Sequence, residues 1–166
     1  MLILSAYKKI KSNFFLLLST LIAIVINFPS SFSNFYELAV DSYIHIFFST
    51  HYTQSWFELW EPRWYTGFSV ASYPPLTHQI LSLLSFHLGK ETAYQMLTFI
   101  VMITLPVSVY FFVSSIFSKR AAGIASLLVL FPPLLYIDAY SWGQLPTLLF
   151  SSTRITLCKI SLFVLN

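Results

Sequence analysis

The stretch Glu37-Leu-Ala-Val-Asp41-Ser-Tyr-Ile-His45, continued by Trp56, Trp60 and Trp64 and closed by Tyr73-Pro74-Pro75-Leu76, is the polar centre of an otherwise apolar chain. Four of the six acidic residues (Glu37, Asp41, Glu58, Glu61) and three of the four tryptophans fall inside it. Residues 12–36, 64–89 and 92–118 around it carry no Asp, Glu, Lys or Arg. A polar, aromatic loop between uncharged runs is where a membrane protein usually keeps its chemistry.

Composition agrees. The chain has 166 residues, is 57% hydrophobic and only 9% charged, with a mean hydropathy of +0.73. Soluble domains carry roughly 25% charged residues, so this chain cannot cover a water-facing surface. The net charge of +3 comes from scattered residues and from Lys8, Lys9, Lys11 and Lys119-Arg120, which read as topology-setting charges beside spans. No nucleic-acid partner is expected. The one cysteine, Cys158, excludes an intrachain disulfide and a Cys-based zinc cluster.

The reading is therefore all-α: a multi-pass transmembrane bundle with short interfacial helices on one extracytoplasmic loop. Residues 1–166 make a single membrane domain in the cell membrane. Spans are expected at about 14–28, 74–88, 93–117 and 121–137, with a partial one over 147–166. Three lysines before the first span place the N-terminus in the cytoplasm and make residues 29–73 the first extracytoplasmic loop. Pro29 and the serines after it should end the first helix. Pro106 should kink the third span. The count conflicts with the positive-inside bias, because it puts Lys119-Arg120 outside. Either 74–88 re-enters without crossing, or two basic residues are tolerated there. Arg154 and Lys159 interrupt the last run, and the chain reads as the N-terminal part of a longer protein.

Within the central stretch Glu37, Asp41 and His45 are spaced i, i+4, which on a helix gives one face. A carboxylate and an imidazole there can accept a proton from a hydroxyl or bind a divalent cation. Two or three ligands from one helix do not close a metal site, and no metal ligand set is assigned. The plain alternative is a solvated face with one intrahelical pair. Arg63, between Pro62 and Trp64, suits a phosphate; His51, His78 and His87 read as isolated polar residues facing other helices. Asp138, Trp142, Gly143 and Gln144 form a second polar cluster that reaches Asp41 if both loops share a compartment. The chain has no phosphate-cradling Gly loop and no Gly-x-Ser-x-Gly or His-Glu-x-x-His motif.

The series Asp41-x-x-x-His45, Trp60-x-Pro62-x-Trp64, Gly67 and Tyr73-Pro74-Pro75-Leu76, with Pro132-Pro133, Tyr136, Ser141 and Gly143-Gln144-Leu145-Pro146 further on, resembles GT-C-type membrane glycosyltransferases. It is most similar to multi-pass proteins with the 6-pyruvoyl-tetrahydropterin synthase-related membrane domain, over about residues 10–150. That resemblance implies sugar transfer from a polyprenyl-phosphate-linked donor among membrane lipids. Asp41 would be the catalytic acidic residue, and His45, Trp60, Arg63, Trp64, Tyr73 and Gln144 would bind substrate. Two departures stand out: the family's acidic pair is here Asp41 beside Ser42, and its later spans and large C-terminal domain are absent from the sequence. A non-catalytic membrane protein serving assembly, lipid handling or transport fits the same residues.

Overall fold

A computed structural model describes the backbone of residues 14–164 and side chains as far as Cys158. Lys8, Lys9 and Lys11, on which the cytoplasmic N-terminus was argued, lie outside the described residues, as does the side chain of Lys159.

Among the described residues the chain is helical apart from one two-stranded ladder. Its helices are α1 (Phe14–Ser31), α2 (Ser42–Gln54), α3 (Pro75–Leu88), α4 (Lys90–Ile116), α5 (Lys119–Leu128), α6 (Pro133–Tyr136) and α7 (Leu145–Val164). A 3-10 turn over Phe35–Glu37 precedes α2, and a π-helical turn over Ile137–Trp142 follows α6. Strands β1 (Trp60–Glu61) and β2 (Phe68–Ser69) pair antiparallel between α2 and α3.

Helix α1 has the reverse of a soluble helix's pattern. Ser19, Ala23, Asn27 and Ser31, four residues apart, are fully buried, while Leu17, Leu21, Val25 and Phe28 are each more than half exposed. Small and polar side chains inside with large apolar ones outside is how helices pack in lipid, where close backbone approach and hydrogen bonds between helices replace hydrophobic burial. Pro29 does not end the helix, which continues to Ser31. In the last turn a missing N–H removes a single bond.

The neighbour on that stripe is α5. Its Ala122, Gly123 and Ser126 are buried, with Ile124 and Leu128 exposed. Ser126 Oγ donates to Ser19 Oγ at 3.0 Å, and a Cβ on Gly123 would sit 2.2 Å from Cβ of Phe15. The glycine is what lets the two helices touch. Helix α4 is the central element and packs on α1, α3, α5 and α7. Its Ala93, Tyr94, Leu97, Val101 and Met102 enter one core with Leu81 of α3 and Leu145 of α7. Pro106 is accommodated within α4, which continues to Ile116.

Helices α1 and α4 are long and apolar enough to cross a membrane. Two expected spans change. Residues 74–88 give α3, whose 14 residues extend about 21 Å at 1.5 Å per residue, short of a hydrocarbon core of roughly 30 Å. Residues 121–137 are not one helix. The chain bends by 60° between Lys119–Leu128 and Pro133–Trp142, and only the bent pair together has the length and composition of a third span. Pro132 and Pro133 lack the N–H groups that would carry α5 onward.

Replacing Gly123 by Val is expected to lower stability by about 1–3 kcal/mol through overpacking against Phe15, read as a lower melting temperature in detergent. An unchanged melting temperature would show that α1 and α5 are not packed as described.

Candidate functional site

Helix α2 and the turn after α6 meet head-on. The backbone N–H of Val40 donates to the Ser141 carbonyl and that of Asp41 to the Trp142 carbonyl, both at 3.0 Å. Gly143 makes the approach feasible. It adopts φ 71°, a conformation disfavoured for other residues, and an added Cβ would stand 3.0 Å from both Ser42 Oγ and Tyr94 Oη. Tyr94 Oη donates to the Gly143 carbonyl at 3.1 Å and lies 3.1 Å from Ser42 Oγ. Residues from α2, α4 and the π turn are thus joined at one buried point.

Asp41 sits at this junction. Its carboxylate accepts from Gln144 Nε2 across 103 positions of sequence. Glu37, Asp41 and His45 do not share a helix face as their spacing suggested. Glu37 lies in the 3-10 turn and Asp41 precedes the first residue of α2. What joins Asp41 to His45 is backbone: the His45 N–H donates to the Asp41 carbonyl at 3.1 Å.

The His45 ring turns inward. Its Nδ1 lies 3.0 Å from Nε2 of His78 on α3, so one N–H is shared between two imidazoles, and both residues are buried to 1% exposure or less. The outer nitrogens, Nε2 of His45 and Nδ1 of His78, have no hydrogen-bond partner among the described residues. Burial pushes the His45 ring down to about 4, against the opposing pull of Asp41. A cavity of about 400 Å³ opens beside this pair, walled by His45, Tyr73, Gln144, Pro146, Thr147 and Phe150.

Of the residues singled out in the sequence, Asp41, His45, Tyr73 and Gln144 therefore gather at one place. Trp64 does not join them. It packs on Phe47 and Phe48, with ring centroids 5.3 and 5.7 Å away, and Phe48 belongs to an apolar cluster with Tyr52 and Val70. Trp60 and Arg63 line a second cavity, of about 500 Å³, at the other end of α2.

Arg63 is not free for a phosphate. Its Nε and Nη2 donate to the two oxygens of Glu61 at 2.7 and 2.6 Å, and its own N–H donates to Oε1 at 2.8 Å. Hydrogen bonds from Arg63 are the main reason that Glu61, fully shielded from water, is held down to about 2. His51 Nδ1 lies 2.9 Å from Glu61 Oε2 and its Nε2 2.7 Å from the Glu58 carbonyl. Two oxygens thus face the ring, one at each nitrogen.

His78, Ser42, Tyr94 and the Glu61–His51 pair were not legible as site residues. Nothing in a lone His or Ser distinguishes a pairing partner from any other buried polar group. A Ser, a Tyr or a second His found 33 or more positions away leaves no local pattern. No group of three or more His, Cys, Asp or Glu that could hold a metal ion occurs among the described residues. Comparison with protein-family models, with curated proteins and with solved structures finds no match to this chain.

The buried His45 carries a pH signature. Its value falls from 6.5 unfolded to about 4 folded, so between those values the unfolded chain binds the proton that the folded chain refuses. Stability should therefore decrease as pH drops through that window. His45→Gln keeps a donor for His78 and removes the titrating ring, so its melting temperature in detergent should fall less steeply over the same window. Parallel profiles for parent and variant would refute the assignment.

Proposed function

We propose that the chain is the loop-bearing part of a membrane glycosyltransferase-like protein, taking a sugar from a polyprenyl-phosphate-linked donor at the extracytoplasmic face. The observation that supports this reading is the convergence of His45, Tyr73 and Gln144 from three separate stretches at one cavity, with the Asp41 carboxylate bonded to the Gln144 that lines it. A donor with a polyprenyl tail stays in the bilayer, so its sugar needs a polar recess at the membrane surface. In this reading the Asp41 carboxylate accepts the proton of the acceptor hydroxyl as that oxygen attacks the sugar's anomeric carbon and the lipid phosphate leaves. Gln144 orients the carboxylate, and the Tyr73 ring offers an apolar face to the sugar.

One observation favours a second reading. The Asp41 carboxylate is already bonded to Gln144, which is also what a latch between two loops of a non-catalytic assembly, lipid-handling or transport protein requires.

Asp41→Asn separates the two. A positioned general base contributes about 10²–10⁴-fold, so the variant should lose sugar transfer by that order in membranes given a radiolabelled polyprenyl-phosphate sugar, with insertion and melting temperature retained. Transfer equal to the parent's would leave the carboxylate as a latch only.

A further inference from the structure

The cavity at the C-terminal end of α2 holds Trp60 and Arg63, two of the substrate-binding residues that the resemblance implies, away from Asp41. Trp60 forms one wall. Its indole packs against Gly67, where φ is 106° and a Cβ would stand 2.1 Å from Cζ2 of the ring. One part of the ring is braced by main chain, and 52% of the residue stays exposed. It is a rigid, half-open aromatic platform.

Around it stand planar polar groups, two of which, Glu58 and Arg63, are held by hydrogen bonds. Glu58 accepts from the N–H groups of Leu59 and Trp60 through Oε1, both at 3.1 Å, and its other oxygen has no partner among the described residues. The Arg63 guanidinium is locked by Glu61 and lies over the Phe47 ring, 5.4 Å from its centroid. This leaves its outer N–H groups as oriented donors. Gln54, exposed at the end of α2, adds an amide. Arg63 faces the two carboxylates Glu58 and Glu61 in the same lining, so there is no surplus cation to draw a phosphate.

We propose that this cavity is a carbohydrate-binding pocket, separate from the one at Asp41. The apolar face of a neutral sugar ring would lie on Trp60, with its hydroxyls bonded to Glu58, Gln54 and Arg63. An aromatic face flanked by hydrogen-bonding groups of both kinds, donors and acceptors, matches a ring with C–H bonds on one face and hydroxyls at its edge. His45 and the residues His51 and Gln54 are six to nine positions apart on α2, so the two cavities are offset by roughly 9–14 Å along its axis. The pocket stands whether or not the chain takes part in sugar transfer.

The test uses the full chain in lipid nanodiscs with methyl β-D-glucopyranoside, methyl α-D-mannopyranoside and methyl β-D-galactopyranoside as probes. Binding is read by saturation-transfer NMR and by tryptophan fluorescence. At least one glycoside should bind saturably. Trp60→Ala should weaken it by about tenfold or more, which corresponds to 1.4 kcal/mol, and Trp142→Phe, at the other exposed tryptophan, should not. Since Trp60→Ala removes a strand side chain, Glu58→Gln is the second variant. It keeps an acceptor for the two backbone N–H groups, and it should weaken binding several-fold at an unchanged melting temperature. Octyl phosphate should not displace the glycoside. Binding of none of the three glycosides, parent-like binding by both variants, or displacement by octyl phosphate overturns the proposal. Absence of binding alongside Asp41-dependent transfer would remove this pocket alone, and binding without transfer would remove the transferase reading alone.

Discussion

The structure depends on one docking event, the seating of the Ser141–Gln144 turn on the start of α2. Two backbone hydrogen bonds, from Val40 and Asp41 to Ser141 and Trp142, bring together stretches about a hundred residues apart. These N–H groups stand just before a helix whose own first donors need partners, so the docking satisfies backbone that the protein interior would otherwise leave bare. The polar contacts around the first cavity gather at this docking point. Asp41 meets Gln144 because of it, Tyr94 reaches Gly143 because of it, and the His45–His78 pair is closed beneath it.

A second set of bonds holds the turn from the other side. Tyr140 Oη donates to Asn27 Oδ1 at 2.9 Å and lies 2.9 Å from Ser31 Oγ, while Asn27 Nδ2 returns to the Ala23 carbonyl at 2.8 Å. Buried polar networks rigidify what they join when every member is satisfied. The polar stripe of α1 therefore does two jobs. Its N-terminal half packs against α5 through Ser19, and its C-terminal half steadies the turn that presents Gln144.

Much of this was legible before any coordinates. Charge-free runs marked α1 and α4, because hydrocarbon tolerates only helices with their backbone bonds closed internally. The polar stretch from Glu37 to Leu76 holds His45 and Tyr73 of the first cavity and the lining of the second, and Gln144 of the second polar cluster reaches Asp41. Periodicity misled at Glu37, Asp41 and His45, since equal spacing says nothing about where a helix begins; Ser42, not Glu37, is its first residue. Hydropathy could not tell a full span from the shorter α3, nor foresee the bend at Pro132-Pro133. Trp64 looks like a ligand-binding residue in sequence and Arg63 like a free cation for a phosphate, because only the folded chain reveals Phe47 and Phe48 against the one and Glu61 paired with the other.

Hydrogen exchange, resolved to single amides on the full chain in nanodiscs, tests the docking most directly. The Val40 and Asp41 amides sit outside regular helix, and Val40 is itself mostly exposed, so only their bonds to Ser141 and Trp142 can slow them. Both should exchange as slowly as interior amides of α2. Exchange at the rate of a solvated loop would mean that the turn is not seated there, and the Asp41 cavity would lose the contact that assembles it.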